Sequence, residues 1–200
     1  MMRKIILSAV LLTGLAAQAF AEVNVSADVV SRYLWRGADY GNAMAVQPSI
    51  SYTSGSVTVG YWGSQALNGS FNETDLYVGI DLGSFALTIT DYTDTAPDLF
   101  KVGDADIEVM ASFSAGDISV AAAIMATNDT DLWVELGYGL GEIGDADVSV
   151  SLGVGNEQYS SNGDPKLALL GINASSGDYF ASYQINVERK ANMAFIGKSF

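Results

Sequence analysis

The sequence predicts an all-β fold, a closed antiparallel transmembrane β-barrel of about twelve strands with both termini on the periplasmic side. From residue 22 to residue 200, apolar and polar residues alternate with period two, and turn residues interrupt this pattern at intervals of about a dozen residues. The apolar phase continues across almost every interruption, so each strand has one apolar face and one face of Asp, Glu, Ser, Gly and Arg. A barrel in a membrane needs this arrangement, because lipid contacts its outer surface while water or polar groups fill its interior.

The lengths of the strands and of their connections also predict a membrane barrel. The strands have roughly 9–10 residues, which is the length that a tilted strand needs to cross a bilayer. Tight turns at 54–55, 83–84, 115–116, 141–144 and 175–177 alternate with connections that are mostly longer. Outer-membrane barrels have short periplasmic turns and longer outer loops, so the tight turns place both termini in the periplasm.

Outward-facing aromatic residues are expected to form two girdles at the membrane interfaces, where amphipathic rings are favoured. Near the tight turns, the apolar phase contains Tyr52, Phe85, Phe113, Tyr138, Tyr179 and Phe200. Near the opposite strand ends, it contains Tyr33, Trp35 and Tyr61. A secreted β-sandwich also shows alternation, but its largest aromatic residues would concentrate in the middle of its strands.

The N-terminus has the pattern of a secretory signal peptide. Arg3 and Lys4 precede an apolar run over residues 5–17, and an Ala-x-Ala cleavage site follows at residues 19–21. We therefore predict that residues 1–21 are removed and that residues 22–200 form one barrel domain. Together with the strand pattern, this predicts a location in the outer membrane of a Gram-negative bacterium, with outer-membrane lipid as a partner.

The predicted strands follow one another along the mature chain. The first runs without interruption from Val23 to Arg36, with Tyr33 and Trp35 on its lipid face and Arg32 and Arg36 in the lumen. After a loop at 37–45, the other strands cover 46–53, 56–62, 73–82, 85–92, 104–114, 118–126, 131–140, 145–154, 166–174, 178–187 and 191–200. Further loops lie at 64–72, 94–103, 128–129 and 156–165.

Composition excludes several classes of function. The formal net charge of −14 argues against nucleic acid as a partner, because phosphates require Lys and Arg. The chain has no cysteine and no histidine, so it lacks the usual nucleophilic thiol, general base and metal ligand. The Gly-Asp-Ala-Asp repeats at 103–106 and 144–147 do not continue into an EF-hand loop. We predict that the protein is not an enzyme and binds no metal or cofactor.

Charged residues in the lumen phase are the strongest functional signal in the sequence. The predicted pore-lining residues are Asp28, Arg32, Arg36, Glu73, Asp75, Asp104, Asp106, Glu108, Asp131, Glu135 and Asp147. Rings of carboxylates in a low-dielectric wall concentrate cations and repel anions, so we predict a weakly cation-selective pore for ions and small solutes. Two alternatives remain open: a barrel plugged by a buried ion-pair network that acts through its outer loops, and a solute-specific transporter with a binding strip.

Three segments resemble a known family. They are Ser-Arg-Tyr-Leu-Trp-Arg-Gly at 31–37, Gln-Pro-Ser-Ile-Ser-Tyr at 47–52 and Gly-Tyr-Trp-Gly-Ser at 60–64, and they are similar to the TorF-type porins of Gram-negative outer membranes. The motif residues are Tyr33, Arg36, Gly37, Gln47, Gly60, Trp62 and Ser64. The segments Glu-x-Asp-x-Tyr-x-Gly at 73–79 and Gly-Lys-Ser-Phe at 197–200 also fit the family, whereas Met44-Ala45 departs from its usual Pro-Ala pair. The resemblance implies a porin-like barrel. We also expect the barrel assembly machinery to bind the C-terminal strand, which ends in Phe200.

Overall fold

The computed structural model describes residues 21–93, 106–127 and 131–200. The predicted signal peptide up to residue 20, the predicted loops at 94–103 and 128–129, and the pore-lining candidate Asp104 lie outside the described residues. Within the described ranges, no helix is long and apolar enough to cross a membrane.

All regular structure in the described residues is β, as the sequence predicts. The strands are β1 (Glu22–Val30), β2 (Tyr33–Trp35), β3 (Ala38–Tyr40), β4 (Ala45–Ser54), β5 (Val57–Ala66), β6 (Asn72–Asp81), β7 (Phe85–Thr93), β8 (Asp106–Ala115), β9 (Ile118–Met125), β10 (Leu132–Ile143), β11 (Ala146–Glu157), β12 (Gly163–Ser176), β13 (Tyr179–Asn186) and β14 (Ala191–Ser199). Strand β1 and strands β4 to β14 form one closed barrel of twelve strands, and β2 and β3 form a separate two-stranded sheet.

The barrel closes between its first and last strands. Strands β1 and β14 pair antiparallel, with Asp28 opposite Ser199 and Val30 opposite Gly197. On its other side, β1 pairs with β4 along its whole length. Closure leaves no edge strand with unsatisfied N–H and C=O groups, which is the condition for placing a sheet in a medium without water. The prediction of a closed antiparallel barrel of about twelve strands is confirmed.

The two faces of the barrel wall differ in polarity as the alternation predicts. Apolar side chains on the outer surface are exposed, as shown by Val25 (69%) and Leu136 (47%). On the inner surface, Thr88 and Ser182 are 2% and 5% exposed. Lys198 also lies on the outer surface, where its Nζ atom is 4.4 Å from the centroid of the Phe200 ring, a cation–π distance.

The two ends of the barrel carry different connections. At one end, here called the turn end, short turns join β4 to β5, β6 to β7, β8 to β9, β10 to β11 and β12 to β13. At the other end, here called the loop end, the connections include residues 31–44, 67–71, 158–162 and 187–190. The predicted turn at 141–144 is shifted, because β10 continues to Ile143 across an irregularity next to Gly141.

Aromatic residues on the outer surface are confirmed at the turn end. The exposed fractions there range from 46% to 69% for Tyr52, Phe85, Tyr138, Tyr179 and Phe200. Phe113 lies opposite Phe85 across β7 and β8, with the ring centroids 4.7 Å apart.

The prediction that the first strand continues to Arg36 is wrong. Strand β1 ends at Val30, and residues 33–40 form the β2–β3 hairpin instead. Tyr33 is only 9% exposed, so it is not part of an outer girdle, and Trp35 packs against Tyr92 and Tyr159. The pattern misled because aromatic alternation looks the same whether the rings contact lipid or fill a lumen.

Local backbone geometry explains why the chain turns back. Arg36 (φ 48°) and Gly37 (φ 76°) are two successive residues with positive φ, as in the two-residue turns that match the twist of a β-hairpin. Leu34 is 5% exposed and packs in a cluster with Met193 and Phe195, which face inward from β14. The hairpin therefore lies against the inner wall at the loop end.

Candidate functional site

The hairpin is attached to the wall by hydrogen bonds on two sides. On one side, the Tyr33 hydroxyl donates to Glu73 Oε1 on β6 at 3.0 Å. On the other, Asn186 Nδ2 of β13 donates to the Gly37 carbonyl oxygen at 2.9 Å. Because β6 and β13 lie in different parts of the barrel wall, these bonds hold the hairpin across the lumen rather than along one strand.

The contacts of Arg36 form the centre of the candidate site. Its Nη1 atom donates to Glu108 Oε2 at 2.6 Å, and its Nη2 atom donates to Glu108 Oε1 at 3.0 Å. The Nη1 atom also donates to the Tyr159 hydroxyl oxygen at 2.7 Å. The side chains of Arg36 and Glu108 are 6% and 3% exposed. A two-pronged pair of this kind has strong geometric specificity, and it satisfies two charges that water does not reach.

Aromatic rings surround the same guanidinium group. The Arg36 Cζ atom lies 4.4 Å from the centroid of the Trp35 ring, 5.5 Å from that of Trp133 and 5.6 Å from that of Tyr159. Burial raises the pKa of the Tyr159 hydroxyl to about 12, further above physiological pH than the ordinary tyrosine value, and the neutral hydroxyl accepts the Arg36 hydrogen bond. The guanidinium therefore has a carboxylate and a hydroxyl in reach of its N–H groups and ring faces around its charge.

The rings of Trp133 and Tyr159 pack directly against two glycine residues of β11, Gly153 and Gly155. A Cβ atom on Gly153 would clash with the Trp133 ring, and a Cβ atom on Gly155 would lie 2.6 Å from Tyr159. The Trp133 Nε1 atom also donates to Glu135 Oε2 at 3.2 Å. Trp133 is 2% exposed, and its ring centroid lies 4.9 Å from that of Tyr159. The wall strands β10 and β11 thus provide the surface against which both rings pack, and Trp35 of the hairpin also contacts Tyr159, with ring centroids 6.1 Å apart.

Replacing Gly153 with alanine should destabilise the barrel by about 1–3 kcal/mol, the usual cost of forcing an extra methyl group into a packed site. The reason is the clash with the Trp133 ring. The measurement is urea unfolding in detergent micelles. Gly139→Ala is the matched control, because a Cβ atom there would lie 3.6 Å from Asp117, an ordinary contact. Equal unfolding midpoints for the two variants would contradict the seating of Trp133.

The structure places the predicted pore-lining residues in several environments. Glu73, Asp75 and Glu108 are buried on the inner wall near the hairpin, at 6%, 5% and 3% exposure. Inner-wall positions are also held by Asp28, Asp106, Glu135 and Asp147. Arg32 lies beside the hairpin and pairs with Asp39 at 3.3 Å, with a side chain 33% exposed. Asp131 immediately precedes β10.

The residues of the family-like motif come together around the hairpin. Tyr33 packs against Trp62 of β5 with ring centroids 5.5 Å apart. Next to Trp62, Gln47 Nε2 donates to Ser64 Oγ at 3.3 Å, and Ser64 is 1% exposed. Arg36 and Gly37 form the tip of the hairpin. Gly60 has a separate role, because it leaves room for the Tyr77 ring across β5 and β6.

Two members of the site were missed by sequence reasoning. Tyr159 lies in the predicted loop at 156–165, and Asn186 lies in the predicted strand at 178–187, where its residue type alone does not mark it. A signal for Tyr159 does exist in the sequence. Gly153 and Gly155 share the lumen phase of one strand, and Trp133 lies opposite Gly155. Glycines next to a large inward-facing aromatic side chain indicate a place where aromatic rings pack against the backbone.

Comparison with known proteins adds no identification. The chain matches no model of a protein family, and the search of curated proteins found no match. The resemblance to the TorF-type porins therefore stays a prediction.

Proposed function

We propose that the protein is a porin-like barrel of the Gram-negative outer membrane, delivered by its signal peptide and inserted with both termini in the periplasm. The observation that carries this proposal is the polarity of the closed wall. Val25, Leu136 and Ile172 are 69%, 47% and 52% exposed on the outer surface, whereas the wall strands bury polar side chains such as Thr88 and Ser182 on the inner surface, beside the apolar cluster that holds the hairpin. An apolar belt around a whole barrel is far larger than the apolar patches of soluble monomers, and it matches a lipid environment.

The proposed activity is passive diffusion of ions and small solutes through a passage that the hairpin narrows. Barrel diameter grows with strand number, and about eight strands already enclose a filled interior, so twelve leave space beyond the wall side chains. The hairpin takes up part of this space at the loop end. The resulting passage is small and suits ions and small solutes rather than large ones.

A preference for cations follows from the charges near the hairpin. Glu73, Asp75, Glu108 and Glu135 all face inward from the wall. Arg36 is the buried basic side chain at this level among the described residues. Carboxylates therefore outnumber the guanidinium, and a negative, low-dielectric constriction concentrates cations.

A second candidate is a barrel that stays closed and acts through its loops. The buried pair of Arg36 and Glu108 favours it, because a hairpin held by two buried charges resists leaving the lumen. Conductance separates the two candidates. A current through the unmodified protein supports the channel, whereas a current that appears only after removal of the hairpin supports the closed barrel.

Two partners belong to this proposal. Outer-membrane lipid would contact the apolar belt, and the barrel assembly machinery would bind strand β14 and the terminal Phe200. Phe200 is 69% exposed on the outer surface at the turn end, and its backbone N–H donates to the Ala27 carbonyl at 3.0 Å. An exposed aromatic residue in this position is open to recognition before the barrel closes.

The test of selectivity is the zero-current potential of the purified protein in planar bilayers under a KCl gradient. We expect a potential of the sign for cation preference, and a smaller one for Glu135→Gln because this change removes an inward charge. Glu188→Gln is the matched control, since Glu188 lies in the connection 187–190 and pairs with Lys166 at 3.5 Å. An anion preference in the unmodified protein would contradict the acidic lining.

A further inference from the structure

We propose that the lumen wall contains a binding site for guanidinium groups, which Arg36 of the hairpin occupies in this structure and for which guanidinium-bearing solutes compete. The site, here called the wall cage, consists of Glu108, Trp133 and Tyr159. The wall cage is argued from the contacts of Arg36 and does not depend on the proposed function. That guanidinium-bearing cations are preferred solutes of the passage rests on the proposed function.

The chemistry of the wall cage matches a planar cation with several N–H groups. The two oxygens of Glu108 accept from two different nitrogens of the guanidinium at 2.6 and 3.0 Å. The Tyr159 hydroxyl accepts a further bond at 2.7 Å. The Trp133 ring lies within cation–π distance, with 5.5 Å between its centroid and Cζ. An ammonium group cannot make the two-pronged contact, and a neutral amide lacks the charge.

The wall cage is built by the barrel and not by the segment that fills it. Glu108 is on β8, Trp133 is on β10, and Tyr159 lies in the connection between β11 and β12. The rings of Trp133 and Tyr159 are seated on Gly153 and Gly155, as described above. The guanidinium comes from the connection between β1 and β4. Glu108 also accepts from the Tyr92 hydroxyl at 3.3 Å, and Trp133 donates to Glu135, so we expect these groups to stay in position for another guanidinium when Arg36 is replaced.

The position of Arg36 in the hairpin supports a role as an internal ligand. Arg36 has φ 48°, in a region where Gly, Asn and Asp are favoured and where arginine is disfavoured. The turn itself therefore gives no reason for an arginine, whereas the wall cage does. Arg36→Gly is for the same reason a suitable test variant, because it empties the wall cage while matching the backbone of the turn.

The test measures the thermal unfolding midpoint of the full mature barrel in detergent micelles with millimolar methylguanidinium chloride. A ligand that binds only the folded state raises the midpoint in proportion to its occupancy. We expect a rise for Arg36→Gly and a much smaller one for the unmodified protein, where Arg36 already fills the site. Methylammonium, which lacks the planar fork, and urea, which lacks the charge, should have little effect at the same concentration.

Two control variants locate the effect. Arg32→Gly removes a guanidinium from the same segment, but that group pairs with Asp39 outside the wall cage, so added methylguanidinium should raise its midpoint no more than that of the unmodified protein. Adding Glu108→Gln to Arg36→Gly should abolish the rise. The proposal is overturned if methylguanidinium stabilises Arg36→Gly no more than methylammonium and urea do, or if it stabilises Arg32→Gly equally.

A second measurement covers the case in which Arg36→Gly folds poorly. The refolding yields of Arg36→Gly and Arg36→Asn into micelles are compared with and without methylguanidinium. A yield that rises with methylguanidinium, but not with methylammonium, supports the wall cage. An unchanged yield together with an unchanged midpoint overturns it.

The failure of this inference and that of the proposed function give different results. If methylguanidinium stabilises Arg36→Gly but the barrel carries no current, the wall cage stands and the channel is wrong. If the barrel conducts but methylguanidinium does not stabilise Arg36→Gly, the channel stands and the wall cage is wrong.

Discussion

Deleting residues 33–40 is expected to raise the single-channel conductance several-fold. The deletion removes the hairpin and with it the Tyr33, Trp35 and Arg36 side chains that occupy the lumen at the loop end. Residues 31–32 and 41–44 remain to connect β1 to β4, so the barrel wall is preserved. The measurement is single-channel recording in planar bilayers, with the unmodified protein recorded under the same salt conditions.

Two controls make this result specific to the hairpin. Arg32→Ala leaves the hairpin and its wall contacts in place, and its conductance should equal that of the unmodified protein. A heat-dependent shift on gel electrophoresis should persist in the deletion variant and show that its barrel is still closed. If the deleted barrel is intact and conducts no better than the unmodified one, the hairpin is not the constriction.

Replacing Glu108 with alanine is expected to lower the free energy of unfolding by about 3–5 kcal/mol, the usual cost of removing one partner of a buried ion pair. The reason is that the Arg36 charge would stay buried without its carboxylate. The measurement is urea unfolding in micelles or vesicles, since guanidinium chloride would compete for the same site. Arg36→Gly with Glu108→Ala should lose less than the sum of the two single changes.

The matched control for this prediction is Glu188→Ala. Glu188 pairs with Lys166 at 3.5 Å, and the two side chains are 18% and 34% exposed. A partly exposed ion pair of this kind contributes little to the free energy of unfolding. Purely additive effects of Arg36→Gly and Glu108→Ala would show that the two side chains act independently, against the geometry described here.

The barrel wall could be predicted from the sequence because its signal is repeated in every strand. In β10, for example, Leu132, Val134, Leu136 and Tyr138 face outward while Trp133 and Glu135 face inward, and a shift by one residue would reverse every side chain. The same alternation recurs in the other strands of the barrel. Closure then follows from the requirement that no strand edge be left open.

The hairpin could not be predicted because its aromatic residues continue the apolar phase of β1 for a different reason. Tyr33 and Trp35 keep this phase, as they would in a continuation of β1, and Leu34 between them departs from the polar phase. The hairpin differs from a continued β1 strand in the positive φ angles of Arg36 and Gly37 and in its contacts to residues far along the chain. A partner such as Glu108 becomes visible only when β8 and the hairpin are placed in one lumen.

The pairing of the charged residues in the lumen could not be predicted from the sequence either. The sequence identifies Arg36 and Glu108 as inward-facing residues, but it gives no pairing between them. In the structure, this pair is buried and part of the predicted acidic lining is used to hold the hairpin. The carboxylates of the wall thus have two roles in this account: Glu73 and Glu108 anchor the hairpin, and the excess of acidic groups sets the proposed cation preference.

The most direct test of the account is a single-cysteine scan along β10, which is free of background because the chain contains no cysteine. Each residue from 132 to 138 is replaced in turn, labelled with a fluorophore in lipid vesicles, and exposed to nitroxide-labelled lipid. We predict strong quenching at 132, 134, 136 and 138, and weak quenching at 133, 135 and 137. Quenching that is uniformly weak, or strongest at the odd-numbered positions 133, 135 and 137, would contradict a barrel whose apolar surface contacts lipid.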